Sequence, residues 1–505
     1  MMQLSLRCLR KKSLDNIYGS VILSKETGLI GRFYRATSYN TGEIKILPES
    51  SEALPHRLPV RVYLVGALTQ FAVGLHSPFL NTYLLDMGAN YAELGTFRSV
   101  GNVAPTILQP AWGASSDKVG SNKAFVAFGT LTGLFMVFLF LWAETPIHMI
   151  ILYGIQSILF SIQIPTWQSL IGGLMGEENR GNELGRLGVI TNFASLSATL
   201  VSGFLAGLPF LIQVFQNTLG PLGLILFPPV EAWREAYYLP FYFAAIIGII
   251  ASLLSMRIQE HKTSEVKKRG FPPVLRLLSQ GGNFGRFSFV AVFFSFAMSM
   301  AWPYFIVVQR QWLENTLLEI AIASAMMTIF TVIFSIPFGR LSDKVGRKPL
   351  ILLGRGFLFL VPILYAFAIP ISNTLSIPGV WIIYIANALA GFCTAASFNA
   401  ITAYIYDIAP VEERGAHLSV YNTFTGIIYL MGSLIAGLLG EALVIFIGNY
   451  QAVFWMLIAS GILRFIASFF YLLIKEPKSY QSTLRSELRF FVQNRRHDTD
   501  TMHTP

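Results

Sequence analysis

Residues 339–350 read GRLSDKVGRKPL, five charged side chains in twelve positions, set between two long apolar runs. A weaker copy, GASSDKVGSNKA, occupies residues 113–124. Each copy carries a glycine before its SDKV run and another directly after it: Gly113 and Gly120 in one, Gly339 and Gly346 in the other. Glycine permits a tight turn and a close helix approach. Asp117 and Asp343 can accept hydrogen bonds from a neighbouring helix N-terminus or an arginine. The stretch therefore reads as a tight polar connection between two apolar helices, made twice.

The surroundings support that reading. Of the 505 residues, 53% are hydrophobic and 13% are charged, where a soluble domain carries about a quarter charged. The mean hydropathy of +0.56 points to many membrane spans rather than one water-soluble core. Twelve apolar segments have spanning length, at roughly 60–85, 91–111, 124–143, 146–172, 187–209, 237–256, 286–308, 317–338, 350–369, 380–405, 417–440 and 451–473. They are too long for strands, and backbone in lipid must satisfy its own hydrogen bonds, so they are helices. The expected fold is all-α and integral to the membrane. Residues 1–58 form an N-terminal extension, 59–256 a first six-helix half, 257–285 a central loop, 286–474 a second half and 475–505 a tail.

The net charge of +10 is a matter of placement. Thirty-two of the 37 Lys and Arg fall on one side of the spans, two (Arg234 and Arg310) on the other, and three (Arg98, Arg355 and Arg464) inside them. That bias places both termini and the central loop in the cytoplasm, at a cell membrane. It accounts for the basic charge without nucleic acid. The two cysteines, Cys8 and Cys393, lie in a tail and a span and suggest no disulfide framework.

The second half repeats the first. An offset of 226 residues pairs the two tags and pairs Glu93 with Glu319; an offset of 234 pairs EENRG at 177–181 with VEERG at 411–415, and 216 pairs Glu260 with Glu476. Parallel repeats of this kind build one large group of secondary transporters.

With its repeat, the tag resembles the signature of the major facilitator superfamily (MFS), found there between helices 2 and 3 and again between 8 and 9. PVEERG at 410–415 is similar to that family's loop 10–11, and GLHSPFLNTYLLDMGA at 74–89 to the helix 1 exit of many prokaryotic members. The likeness covers about 60–475. It implies two pseudo-symmetric six-helix halves around a central cavity, with alternating access. The family's glycine–proline antiporter motif in helix 5 and the arginine motif of helix 4 are absent here, which argues against drug/proton antiport.

Polar residues inside spans are costly and face a cavity or a hydrogen-bonding neighbour. Span 1 offers Gln70, Asn81 and, beside them, His76; span 2 offers Arg98 and Asn102; span 4 offers Gln156 and Gln163. In the second half Trp302, Asn387, Thr394, Phe398 and Asn422 stand at comparable places. By the resemblance, spans 1, 4, 7 and 10 line the cavity. Arg98 sits roughly 10 Å inside span 2 at 1.5 Å per residue, and a buried guanidinium suits a carboxylate, phosphate or polarised carbonyl. Arg355 is expected to snorkel outward, and Arg464 to find a partner within the chain. His76, Glu93 and Glu319 are the candidates for proton coupling, although a carboxylate in a first helical turn also complements the helix dipole. Ser195, Thr199, Gly203 and Gly207 make a small-residue stripe for close packing, expected against span 8.

The damaged tag has its own reading. Arg347 follows Gly346 and Asp407 ends span 10, whereas Ser121 and Gly173 stand at the matching places of the first half. Both partners are missing together, as a salt bridge would require. The resulting brace is asymmetric: Arg347, Asp407, Asp343 and Arg414 on one side, Asp117 with Arg180 or a helix end on the other. The chain is thus expected to be a monomeric, non-enzymatic secondary transporter that binds a small-molecule substrate within lipid. No cofactor is expected, and a coupling ion, H+ or Na+, stays open. Efflux of amphipathic compounds is the preferred reading. Uptake of a neutral or anionic metabolite, or a sensor or scaffold that does not transport, are the alternatives.

Overall fold

The structure, a computed structural model, describes residues 57–174, 180–228, 231–260, 282–410 and 413–476, and every regular element among them is helical. The N-terminal extension before residue 57, most of the central loop and most of the tail lie outside the described residues. Among the described residues, ten helices are long and apolar enough to cross a membrane: Asn122–Trp142, Pro146–Leu174, Glu183–Ala206, Trp233–Ser255, Asn283–Trp312, Leu317–Val345, Arg347–Ala366, Gly379–Ile408, His417–Ile447 and Asn449–Leu473. Two more complete twelve. One is Tyr91–Val119, too polar to pass on composition. The other is the pair Val60–His76 and Leu80–Asp86, separated by a short turn at Pro78. They are numbered spans 1 to 12 along the chain.

The packing repeats like the sequence. Span 1 packs on spans 5 and 6, span 2 on 4, and span 3 on 4 and 6. Six spans later, span 7 packs on 11 and 12, span 8 on 10, and span 9 on 10 and 12. The halves meet along two seams, span 2 on 11 and span 8 on 5, which the repeat exchanges for one another. Small residues make both. A Cβ on Gly95 would lie 2.6 Å from the Ser433 carbonyl and 2.9 Å from Gly437 Cα; one on Gly203 would lie 2.6 Å from Ala321 Cβ. The sequence offsets carry Gly95 onto Ala321 and Gly437 onto Gly203, so the two seams are one contact used twice.

Three expectations need correction. Spans 2 and 8 run on to Val119 and Val345, so the first part of each tag is helix rather than loop. The turn itself is made at Gly120 and Gly346, with φ of +73° and +100°, where other side chains are strained. The span 5 stripe does not face span 8 throughout. Thr199 Oγ1 donates to the Gly74 carbonyl of span 1 at 3.3 Å and only Gly203 reaches span 8. Residues spaced by four drift about 40° per step on a 3.6-residue helix, so the stripe winds from one neighbour to the next. Between spans 5 and 6 the chain forms two short helices, Phe210–Leu219 and Pro221–Leu226, that are too short to span and were not expected.

Two glutamates hold the halves together internally. Glu260, just past span 6, accepts the Asn122 N–H at 2.7 Å and the Lys123 N–H at 3.4 Å, capping span 3. Glu476, just past span 12, accepts the Arg347 N–H at 3.0 Å and the Lys348 N–H at 2.9 Å, capping span 9. A carboxylate at a helix N-terminus satisfies orphan donors and meets the positive end of the dipole.

Candidate functional site

A cavity of about 200 Å³ opens between spans 1, 4 and 5, lined by Gly66, Thr69, Gln70, Gln163, Trp167 and Leu184 among others. It lies in the part of the bundle where span 1 begins. Gln70 and Gln163, two expected site residues from different spans, are brought together here. Trp167, one helical turn beyond Gln163, adds an apolar wall.

The opposite end is closed across the halves. Arg310 Nε and Nη2 donate to the two carboxylate oxygens of Asp86 at 2.9 and 3.1 Å, joining the exits of spans 7 and 1. Tyr237 Oη of span 6 donates to the same carboxylate at 2.6 Å. A single π-helical turn over Val308–Trp312 carries Arg310 to that position. Glu441 of span 11 accepts the Tyr91 N–H at 3.0 Å and so caps span 2 from the other half. Ser99 Oγ donates to the Leu430 carbonyl at 2.8 Å, and Tyr91 packs edge-on against Tyr304. The sequence reading missed this gate. Its only signal was that Arg310 is one of two basic residues on the sparse side.

The other expected residues take varied places. Arg98 is half-buried beside Tyr153 of span 4, which stacks on Phe97 at 4.0 Å. Replacing it by alanine is expected to lower transport about tenfold with insertion intact, and lysine to restore part of it; equal flux in the alanine variant and wild type would remove it from the transport path. His76 is buried, its Nδ1 2.8 Å from the Ala72 carbonyl of its own helix. Asn81 and Gln156 are buried. Asn387 donates to Tyr365 Oη at 2.7 Å and to the Ile383 carbonyl at 2.9 Å, so it serves packing between spans 9 and 10. Trp302 packs in a tilted ring contact on Tyr429 of span 11, centroids 5.0 Å apart. Thr394 is half-buried; Phe398 and Asn422 are exposed. The side chains of Asn102, Asp117 and Arg180 lie outside the description.

Glu93 and Glu319 form capping boxes. Glu93 accepts the Asn90 N–H at 2.9 Å and Glu319 the Thr316 N–H at 2.7 Å, while the Asn90 and Thr316 side chains accept in return. Both carboxylates sit at an exposed helix start, away from the cavity.

Arg355 does not snorkel. Its side chain is 8% exposed and turns inward, Nη1 3.5 Å from Met298 Sδ and the guanidinium 4.5 Å from the Phe294 ring. Span 9 is broken between Phe357 and Leu360, within reach of Pro362, and aromatic side chains of spans 7, 11 and 12 offer an inward surface. Arg464 finds two backbone partners, donating to the Leu358 carbonyl at 3.2 Å and the Met298 carbonyl at 2.8 Å. Pro362 cannot supply the helical donor that Leu358 would use.

At the tag end, Arg347 Nε donates to Asp407 at 3.1 Å and Nη1 to Asp343 at 2.6 Å, and Nη1 also donates to Ser342 Oγ at 2.9 Å. Arg414 Nε donates to the Tyr406 carbonyl. Arg347 and Asp407 are 14% and 10% exposed, so the pair is largely desolvated. A double-mutant cycle on Arg347→Ala and Asp407→Ala is expected to give a coupling of about 1–2 kcal/mol in stability; additive effects would reject the coupling. Gly113 and Gly339 are not held by close contacts: an added Cβ would lie 3.9 Å from Pro165 at the first and meet nothing within 4 Å at the second. A buried carboxylate not expected from sequence, Glu183 of span 5, accepts the Leu58 N–H at 2.9 Å and the Tyr63 hydroxyl, tying the start of span 1 to span 5.

Twelve spans in two repeated halves, with paired seams and a gate at one end, define a membrane transporter. The chain belongs to the Major Facilitator Superfamily, which it matches over residues 62–311 and 287–497. It is 24% identical over 392 residues to an uncharacterized MFS-type transporter of Methanocaldococcus jannaschii, covering 76% of this chain and 89% of that protein. It is 24% identical over 378 residues to the quinolone resistance protein NorA of Staphylococcus aureus, covering 73% and 86%. The structure resembles that of a mutant nucleoside transporter NupG, with a TM-score of 0.67 at 13% identity over 83% of this chain and 99% of that one.

Proposed function

We propose that this MFS transporter moves a small amphipathic solute out of the cell by alternating access. The observation that carries the reading is the position of the cavity. The amide residues Gln70 and Gln163 line it together with apolar Trp167 and Leu184, a lining that suits a solute with one polar and one apolar part. The Lys and Arg bias puts that end in the cytoplasm. The closed gate at Asp86–Arg310 then lies outside, and the described state receives solute from within. The similarity to a quinolone resistance protein supports the outward direction.

Everted vesicles carrying the protein test this, with a panel of fluorescent amphipathic dyes. Energised accumulation in everted vesicles is expected, and Gln163→Leu is expected to reduce it about threefold to tenfold by leaving a polar solute group unpaired. Accumulation only in right-side-out vesicles would support uptake. No flux of any dye or metabolite in either orientation would support a sensor or scaffold.

A further inference from the structure

Two arginines lie beneath the surface of the second half. Arg464, 2% exposed, spends two donors on the backbone carbonyls of Leu358 and Met298. That role is structural. Arg355 has no such explanation. It is more than nine-tenths buried, and its contacts are a thioether sulfur, Met298 Sδ at 3.5 Å, the face of Phe294 and the hydroxyl of Tyr429, none of them charged. The sulfur and the ring are weak acceptors, and one tyrosine hydroxyl does not satisfy a guanidinium with five N–H groups or neutralise its charge. Its Nε has no hydrogen-bond partner, and no ion pair to Asp or Glu forms on it among the described residues.

What surrounds it is uncharged hydroxyl. Tyr421 and Tyr429 of span 11 and Tyr471 at the end of span 12 bring hydroxyls close to the guanidinium, and the Tyr429 oxygen accepts from it while its O–H remains free to donate. Arg464 donates to the Met298 carbonyl and adds a second positive charge. Two guanidinium groups at one residue, inside a helical bundle and facing no carboxylate among the described residues, are costly unless a negative charge joins them. Tyr429 leads from this cluster towards accessible surface, since it and Trp302 are both part-exposed and their rings are in tilted contact.

We propose that Arg355, Tyr429 and the neighbouring Arg464 charge form a binding site for one small monovalent anion, either a free halide or the carboxylate head of a solute. A planar guanidinium fork matches a carboxylate in two parallel hydrogen bonds and also takes a halide. The hydroxyl of Tyr429 supplies a further donor. The site is defined without reference to transport direction, and it is read by binding alone, so failure of the efflux reading leaves it standing.

The test uses the full chain in lipid nanodiscs, in a bulky sulfonate buffer at fixed ionic strength. Thermal unfolding and Trp302 fluorescence are followed while sodium chloride, acetate or hexanoate is titrated in. A saturable rise in melting temperature is expected, with a fluorescence change at the same concentrations, because a ligand stabilises the state it binds. Arg355→Gln should abolish both. If that variant does not fold, Arg355→Lys and Tyr429→Phe keep the charge and the ring, and each should raise the half-saturating concentration about tenfold through loss of geometry or one donor. Saturation by chloride without tighter binding of carboxylates identifies a halide. Binding that tightens from acetate to hexanoate identifies a solute head group. Equal melting in all anions, an anion effect that survives Arg355→Gln, or a tyrosinate absorption band at neutral pH without added anion would overturn the site.

Discussion

Replacing Gly95 by valine is expected to cut transport by more than about tenfold while leaving membrane insertion intact. The added Cβ would stand 2.6 Å from the Ser433 carbonyl and 2.9 Å from Gly437 Cα. Both are backbone atoms, so no flexible side chain can move aside, and spans 2 and 11 must separate. Overpacking of this kind costs about 1–3 kcal/mol, charged only to the conformation in which this end is closed. A cost of about 1.4 kcal/mol already shifts the two-state ratio tenfold. The variant should therefore rest with this end open. Ala436, fully buried beside the seam, reports it: Ala436→Cys, in a background without Cys8 and Cys393, should become reactive to an impermeant maleimide. Wild-type flux together with a thiol at position 436 that stays protected would show that the seam does not need to close as described.

Asp86→Asn is expected to lower transport about threefold to tenfold, and Arg310→Gln to do the same, while the double substitution is milder than either alone. The pair is bidentate and joins the two halves. Arg310 is 30% exposed and Asp86 10%, so solvent screening reduces its contribution to about 1–2 kcal/mol. Removing one partner leaves the other charge facing Tyr237 or the Asn315 carbonyl alone. The measurement is the rate of counterflow with reconstituted protein, beside maleimide reactivity at position 436. Strictly additive effects would mean that the ion pair does not hold the gate.

Topology was legible in the chain because span length and repeat offsets are carried by composition and order alone. The Arg347–Asp407 pair was legible for a subtler reason: one half keeps both partners and the other lacks both. The gate was not legible. Asp86 and Arg310 are 224 residues apart, and Tyr91 and Glu441 350 apart, with no periodicity linking them. Glu260 and Glu476 stood out as a repeated pair, yet their capping role needed the helix starts of spans 3 and 9 in place. Amide stripes were the least decisive signal. Gln70 and Gln163 meet at a cavity, whereas Asn387 satisfies a neighbouring tyrosine, and helical spacing is the same in both cases.

The two glutamate caps have a consequence for how the chain is made. In each half the last span returns to hold the start of the third, through a residue that lies directly after that last span. Nothing in this clasp is borrowed from the partner half. The first six spans can be fastened as soon as Glu260 has left the ribosome, before the second six have emerged, and domains do fold as units during synthesis. A chain severed within the central loop would keep both clasps, one on each fragment. Two co-expressed fragments thus have the means to mature separately and then meet along the glycine seams, as two proteins would.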